Sequence, residues 1–284
     1  MLRADLHLHT TASDGALHPE ALMALSRRRG LNGIAITDHD TTAGLEIALA
    51  KKPTDLFILP GLELACALGE SESAGREIDI LAYDFDHQDP TLRQTLQRLR
   101  SERISRAKAI LARLHERGMA VSWRQILRIS AGESIGRPHI AQAMVDSGHV
   151  ATLAEAFERY LQRGAPAHVP RWCLTAEEGI TLIHDTGGVA VLAHPGKLLQ
   201  YQAVIQSLIP LGLDGIEIIH PQHDTETTAL LRRMAQHHRL LVTGGSDFHR
   251  PTAAGELALG RFLSPPRSVE SIRKRAELHR LKSS

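Results

Sequence analysis

Short runs of aliphatic and β-branched residues alternate with helical patterns along most of this chain, and this order restricts the fold more than any other feature. The predicted strands are residues 4–9, 33–37, 56–64, 77–83, 188–193, 215–219 and 240–243. Helix-start signals lie between them: a first-turn proline at Pro19, a capping box of Thr175 and Glu178, and Asp224 before a helix through His238. This alternation is typical of βα units around a parallel sheet, so we predict an α/β barrel.

The alternation stops between about Pro90 and Pro170, where we predict amphipathic helices that carry many of the arginines and no strand. An apolar helical period is followed by Leu92, Leu96, Leu99, Ile104, Ile110, Leu111 and Leu114. The Asp89-Pro90 turn and the proline-bounded stretch 166–170 mark its ends. We therefore predict a discontinuous barrel domain, residues 1–90 and 170–284, and a helical insertion, residues 91–169, that covers the active-site side.

Composition excludes several classes of partner. With 33 Lys and Arg against 32 Asp and Glu, the net charge is +1, so no general field attracts duplex DNA or an anionic membrane. An aromatic content of 4% disfavours a stacking surface for single-stranded nucleic acid. The beginning of the sequence contains no apolar leader, and Cys66 and Cys173 form no Cys-x-x-Cys pair. We expect a reduced, cytoplasmic protein without a thiolate metal site.

Histidine is unusually frequent, with 17 in the 284 residues. The run Asp5-Leu6-His7-Leu8-His9-Thr10 alternates polar and apolar residues, so on a strand Asp5, His7 and His9 share one face. Two imidazoles at this spacing can bind one metal ion, but hydrogen-bonded histidines in a polar barrel interior explain the motif equally well.

Further polar groups follow other predicted strands. They are Thr37-Asp38-His39-Asp40, Gly61-Leu62-Glu63, Ala193-His194-Pro195 and Ser246-Asp247-Phe248-His249. Functional residues of barrels gather at the carboxyl ends of the strands, so these groups should meet at one mouth. Imidazole and carboxylate ligands without thiolate suit Mn²⁺, Fe²⁺ or Zn²⁺. The set therefore predicts a metal centre.

These motifs, together with the Asp5-to-Thr10 run, resemble the PHP (polymerase and histidinol phosphatase) family. The resemblance implies a distorted, TIM-like (β/α)7 barrel with three divalent ions, often manganese, although Zn²⁺ or Fe²⁺ would also suit the ligands. It assigns His7, His9, Glu63 and Asp247 to one ion, Glu63 and His194 to a second, and Asp14, His39 and His249 to a third. Asp14 stands where many relatives carry histidine. Asp79 aligns with another position at which relatives often carry histidine, and it is either a further candidate ligand or a buried strand acid paired with a neighbour.

The insertion and Gly136-Arg137-Pro138-His139 resemble the subgroup of phosphatases acting on nucleoside 3′,5′-bisphosphates, related to 5′-to-3′ ribonucleases of the RNase AM type. This implies a metal-dependent phosphoesterase, in which a metal-bridging hydroxide releases the 3′-phosphate and leaves a 5′-mononucleotide. A 5′-mononucleotide or the 5′ end of a short RNA is a related substrate. His194, His249 and Asp247 are the candidate catalytic residues, with His194 or His249 as the proton relay.

Substrate contacts are predicted around Arg137, whose planar fork matches phosphate oxygens. Gly136 permits a close backbone approach, and Pro138 could begin a helix whose N-terminus attracts anions. The complete candidate set is Asp14, His39, Ser134, Ile135, Gly136, Arg137, His139, His220 and His223. Arg171-Trp172 could clamp a base, although a packed tryptophan explains that pair more simply.

Three alternatives remain at this stage: a histidinol-phosphate-type phosphatase, an amidohydrolase-type C–N hydrolase, and a noncatalytic metal-binding module. An amidohydrolase commonly needs a metal-bridging lysine or carboxylate in mid-barrel, and no lysine lies in a predicted strand. A noncatalytic module should have lost ligands, whereas nearly every motif position here is filled. The remaining histidines are predicted to face solvent or cap helices: His18, His87, His115, His149, His168, His184, His237, His238 and His279.

Overall fold

The computed structural model describes residues 2–69, 76–130, 134–251 and 257–283. Its strands are β1 (Ala4–Leu8), β2 (Gly33–Ile36), β3 (Phe57–Leu68), β4 (Arg76–Tyr83), β5 (Leu174–Thr175), β6 (Val189–Leu192), β7 (Gly215–Ile219) and β8 (Leu241–Gly244). Its helices are α1 (Pro19–Arg28), α2 (Ala43–Ala50), α3 (Pro90–His115), α4 (Trp123–Ser130), α5 (Arg137–Asp146), α6 (Leu153–Ala156), α7 (Ala176–Asp185), α8 (Tyr201–Leu208), α9 (Thr225–His238) and α10 (Ser268–Ser283). No helix among these residues is long and apolar enough to span a membrane.

The strands form a nearly closed barrel in the order β1-β2-β3-β4-β6-β7-β8, with β5 paired to β3. The two ends of this order approach each other where the His9 amide donates to the Phe248 carbonyl, 3.1 Å away. The predicted barrel fold is confirmed, and the proline at the start of α1, the Thr175/Glu178 capping box and the Asp224 cap are all present.

The sequence predicted βα units around a parallel sheet, and β4 departs from this because it runs antiparallel to both β3 and β6. Only residues 69–75 connect β3 to β4, and a parallel crossover needs a dozen or more residues. The chain must therefore reverse directly. The structure also extends β3 to Leu68 and adds the two-residue β5, which sequence periodicity did not indicate.

A register shift between Asp5 and Leu8 interrupts the pairing of β1 with β2. Bulges of this kind often lie beside functional sites because they redirect side chains. Here the His7 and His9 rings lie 5.2 Å apart, whereas the Asp5 carboxylate accepts hydrogen bonds from the Ser246 and Gly260 amides. Asp5 therefore holds the loop that follows β8 in place through the Ser246 amide.

The helices from α3 to α6 pack around a hydrophobic cluster of their own, which includes Ile110, Leu114 and Met144. The predicted Asp89-Pro90 turn is instead the start of α3, because the Asp89 carboxylate caps the helix by accepting from the Leu92 amide at 2.8 Å. These helices attach to the barrel through Arg103, which donates to Asp40 at 2.5 Å. The division into a barrel domain and an inserted domain stays a prediction.

Candidate metal centre

Side chains from six parts of the barrel meet at the mouth formed by the carboxyl ends of the strands. β1 and the segment after it supply three of them, and β3 and the loops after β2, β6 and β8 supply the rest. The metal-centre cluster consists of His7, His9, Asp14, His39, Glu63, His194, Asp247 and His249. Sequence analysis named every one of these residues, and the fold brings them together.

Glu63 lies at the middle of the metal-centre cluster and is 1% exposed. Its Oε1 lies 3.0 Å from His194 Nε2. Its Oε2 lies 3.1 Å from His39 Nδ1, 3.2 Å from His9 Nε2 and 3.4 Å from His7 Nε2. A carboxylate that faces imidazoles through both oxygens has the arrangement of a bridging ligand.

Asp247 divides its two oxygens between the inside and the rim of the cluster. Oδ1 lies 3.4 Å from His7 Nε2 and 3.3 Å from His9 Nε2. Oδ2 accepts from Lys197 Nζ at 2.8 Å and lies 3.2 Å from His220 Nε2. One oxygen is thereby free to face an ion while the other is fixed by the protein.

Asp14 organises a third group of ligand atoms. Its Oδ1 lies 3.2 Å from His249 Nε2 and 3.7 Å from His9 Nδ1, and its Oδ2 lies 3.8 Å from His39 Nε2. The carboxylate that departs from the family's usual histidine therefore occupies a place from which it can contact an ion.

Several buried atoms in the cluster have no hydrogen-bond partner. They are His7 Nε2, His9 Nε2, His39 Nδ1, Glu63 Oε2 and His194 Nδ1. Buried polar atoms are nearly always paired, because leaving them unpaired costs free energy. Three of the five, His7 Nε2, His9 Nε2 and His39 Nδ1, lie within 3.4 Å of a fourth, Glu63 Oε2, so a cation there would satisfy these four together. The residues present thus fit divalent metal ions.

The electrostatics of the cluster agree with this fit. Burial by itself lowers the pKa of His9, but Asp247 and Glu63 reverse that effect and raise it to about 10. Burial also opposes ionisation of Asp247 and Glu63, yet the surrounding imidazoles hold the pKa of both carboxyl groups well below their usual range. Carboxylates kept ionised at the centre of a buried site create a strong local attraction for cations.

Asp79 lies between the metal-centre cluster and the insertion. Its carboxylate is close enough to His39 and Glu63 to share an ion with them. It also lies 3.8 Å from the guanidinium of Arg171, which is a competing partner. Its role as a ligand stays a prediction.

Beside the metal-centre cluster, a cavity of about 180 Å³ is lined by side chains from both the barrel and the insertion. We call it the arginine pocket, after Arg103, Arg106, Arg137 and Arg171. Asp14 and His39 line it as well, so it adjoins the ligand cluster directly. Glu77 pairs with Arg106 at 3.2 Å and with Arg137 at 3.3 Å, so these two guanidinium groups share one carboxylate.

The remaining predicted substrate contacts fall into two sets. Ile135 and Gly136 line the arginine pocket with Arg137, and the buried Ser134 hydroxyl close by has no partner. In contrast, His139 accepts from the Gly136 amide at 3.0 Å, and His223 accepts from the Gly196 amide at 3.0 Å. These two histidines hold backbone turns, and a contact with substrate stays a prediction for both.

Sequence reasoning missed Glu217 and Lys197, which touch the cluster from outside. Glu217 accepts from His7 Nδ1 at 3.0 Å and from the His194 amide at 2.8 Å. The available signal was a single carboxylate inside the apolar run of β7, where burial without a partner would be costly. Trp172 is packed as expected, with the Arg98 guanidinium 3.9 Å from its ring centre.

Comparison with known proteins gives consistent matches. The family model for the PHP domain matches residues 5–165. The 5'-3' exoribonuclease Rnm of Salmonella typhimurium is 35% identical over 276 residues, covering 94% of this chain and 92% of that protein. The 3',5'-nucleoside bisphosphate phosphatase of Chromobacterium violaceum is 33% identical over 261 residues, covering 90% of each.

Among solved structures, a protein of Bifidobacterium adolescentis assigned as a metal-dependent phosphoesterase superposes with a TM-score of 0.85. It shares 32% identity, and the match covers 96% of each chain. The likeness therefore includes the insertion as well as the barrel.

Proposed function

Because this chain belongs to the PHP domain family, we propose that it is a metal-dependent phosphoesterase that releases the 3′-phosphate of nucleoside 3′,5′-bisphosphates and leaves a 5′-mononucleotide. One observation carries the proposal: the arginine pocket shares Asp14 and His39 with the metal-centre cluster. A substrate with two phosphates could place one at the ligand cluster and the other among the guanidinium groups.

Within this proposal, the metal-centre cluster holds three divalent ions, and manganese is the metal that the family favours. Divalent ions, when bound, supply a hydroxide nucleophile near neutral pH and neutralise phosphoryl charge. We assign His7, His9, Glu63 and Asp247 to the first ion, and Glu63 and His194 to the second, with Asp79 as a further ligand. Asp14, His39 and His249 hold the third.

The protein's own residues orient the substrate and move the proton. His249 Nδ1 lies 2.9 Å from the Asp247 carbonyl, to which it can donate, so Nε2 is left facing Asp14 and the cluster. With Nε2 assigned to the third ion, His249 has no nitrogen left to deliver a proton. We therefore assign proton transfer to the leaving oxygen to His194, whose Nδ1 has no hydrogen-bond partner, and we assign to Asp247 the positioning of the reacting site. Lys197 and His220 hold Asp247 Oδ2, which keeps that carboxylate in one orientation.

The arginine pocket is assigned to the 5′-phosphate. Arg137 and Arg171 converge there, and planar guanidinium groups match phosphate oxygens in pairs. A chain with a net charge of +1 could in this way bind a highly charged nucleotide locally, because four guanidinium groups line one cavity. Because the Salmonella relative is an exoribonuclease, we assign short RNA with a 5′-phosphate as a second substrate class.

The chain offers Cys66 and Cys173 as free, buried thiols, which suits the cytoplasm that we propose as its location. No membrane or duplex DNA partner enters the proposal.

A phosphate-release screen with Mn²⁺ tests the function. The substrates are adenosine 3′,5′-bisphosphate, adenosine 5′-monophosphate, adenosine 3′-monophosphate, histidinol phosphate and a short 5′-phosphorylated RNA. We expect the bisphosphate to give the highest kcat/KM, and chelation to abolish turnover until Mn²⁺ is restored. Full activity after chelation would overturn the metal mechanism. A preference for histidinol phosphate, or ammonia release from an amide without phosphate release, would establish one of the alternative activities.

A further inference from the structure

Glu217 on β7 is fully buried beneath the metal-centre cluster and holds two of its members at once. Its Oε1 accepts from His7 Nδ1 at 3.0 Å, and its Oε2 accepts from the His194 backbone amide at 2.8 Å. His7 comes from β1 and His194 follows β6, so this one carboxylate connects two ligands that are remote in sequence.

The bond to Oε1 determines which nitrogen of His7 can bind a metal. Because Nδ1 carries the proton that it donates to Glu217, the lone pair is on Nε2. His7 Nε2 faces Glu63 Oε2 at 3.4 Å and Asp247 Oδ1 at 3.4 Å, and it has no hydrogen bond. Glu217 therefore aims the His7 lone pair at the centre of the cluster.

The bond to Oε2 holds an unusual backbone conformation. His194 lies in the left-handed region with φ 30° and ψ 53°, a strained conformation for a residue other than glycine. This conformation turns the chain out of β6 while His194 Nε2 meets Glu63 Oε1 at 3.0 Å. The Glu217 carboxylate accepts from the His194 amide and so stabilises the turn that places the ring.

We propose that Glu217 is a positioning residue that couples the first two ion sites of the cluster, one through His7 and the other through His194. This inference depends on the metal centre of the proposed function. Within the described residues, Asp14, His39 and His249 make no hydrogen bond or ion pair with Glu217. The third site is therefore independent of it.

Glu217→Gln tests this coupling, because an amide has only one acceptor oxygen and cannot serve both donors. The matched control is Asp214→Asn. Asp214 directly precedes β7, is also a buried carboxylate, and also binds an imidazole, of His184 at 2.8 Å, and a backbone amide, of Ala190 at 3.0 Å. Asp214 lies away from the metal-centre cluster. The Asp214→Asn variant therefore shows how far metal binding changes when any buried acid beside β7 is neutralised.

Metal content and Mn²⁺ titration followed by electron paramagnetic resonance are measured on both variants. We expect Glu217→Gln to lower the affinity for two of the three Mn²⁺ ions by about 10- to 100-fold each. The spin-coupled Mn²⁺ pair signal should disappear, while one isolated ion is retained. Asp214→Asn should bind Mn²⁺ as the wild type does.

Unchanged affinity and an unchanged pair signal in Glu217→Gln would overturn the coupling, as would equal weakening of all three ions. If Glu217→Gln does not fold, Glu217→Asp replaces it, because its carboxylate is one methylene too short to reach both donors. A wild-type protein that binds no Mn²⁺ would instead refute the proposed function, and with it this inference.

Discussion

Among the described residues, two clusters of histidines surround a buried carboxylate, and they differ in their fitness to hold a metal ion. The base cluster consists of His184, Asp214 and His279, with Arg275 beside them. Its three His and Asp residues are as close together as those of the metal-centre cluster. Residue types and distances alone therefore do not separate the two.

Hydrogen bonding separates them. Asp214 accepts from Arg275 at 2.6 Å, from the Ala190 amide at 3.0 Å, and from His184 and His279 at 2.8 and 3.1 Å. Its charge and its lone pairs are already used within the protein. Glu63, in contrast, is surrounded by imidazoles and keeps a buried oxygen without a partner. Unused bonding capacity in a buried site, rather than histidine content, indicates the place for an ion.

We expect the largest difference between the two clusters when the central carboxylate of each is replaced. We expect Glu63→Gln to lower kcat/KM for the bisphosphate by about 10³-fold or more, because in the proposed assignment Glu63 is a ligand shared by two ions. Metal content should fall with it. Asp214→Asn should retain wild-type kcat/KM per folded molecule. Comparable losses in both variants would show that the two clusters do not differ in function.

The base cluster should instead matter for stability. Asp214→Asn leaves the partly buried Arg275 guanidinium without a charged partner, and losing such a charge-assisted hydrogen bond costs about 2 kcal/mol. We expect a corresponding loss in the free energy of unfolding, measured by denaturant titration. Lys274→Ala removes an exposed ion pair on the same helix and serves as the control, with little expected change. A loss in Asp214→Asn no larger than in the control would contradict the structural role.

The sequence predicted the metal-centre cluster because its members follow strands, and parallel strands bring their carboxyl ends to one mouth. His9, Glu63 and Asp247 needed only that rule and the family motifs. Glu217 was missed because it supports other residues from within an apolar strand. The base cluster was missed because His184 and His279 lie on α7 and α10, and only tertiary packing brings them to Asp214. Local pattern thus locates ligands better than it locates the groups that hold them.

The arginine pocket beside the metal-centre cluster and the base cluster also differ in how they hold an arginine, and this difference tests substrate binding. Arg137 lines a cavity and shares the partly exposed Glu77 with Arg106, whereas Arg275 donates to the buried Asp214. We expect Arg137→Ala to lower kcat/KM for the 3′,5′-bisphosphate by about 100-fold, the worth of a charge-assisted contact with phosphate. Adenosine 3′-monophosphate lacks the second phosphate and should lose much less. Arg275→Ala should change neither value, and equal losses on both substrates would refute the assignment of the pocket.

The smallest expected effect concerns pH and the base cluster. Burial raises the pKa of Asp214, but His184, the Ala190 amide and His279 reverse this and lower it to about 2, below its ordinary 3.8. A lowered carboxyl pKa stabilises the fold above the unfolded value, and that contribution is lost as pH falls through the folded value. The difference in unfolding free energy between wild type and Asp214→Asn should therefore shrink by about 2 kcal/mol between pH 5 and pH 2. Asp55→Asn, at an exposed pair with Arg27, is the control and should show little pH-dependent difference. If the difference in unfolding free energy between wild type and Asp214→Asn stays constant from pH 5 to pH 2, ionisation of Asp214 does not stabilise the base cluster.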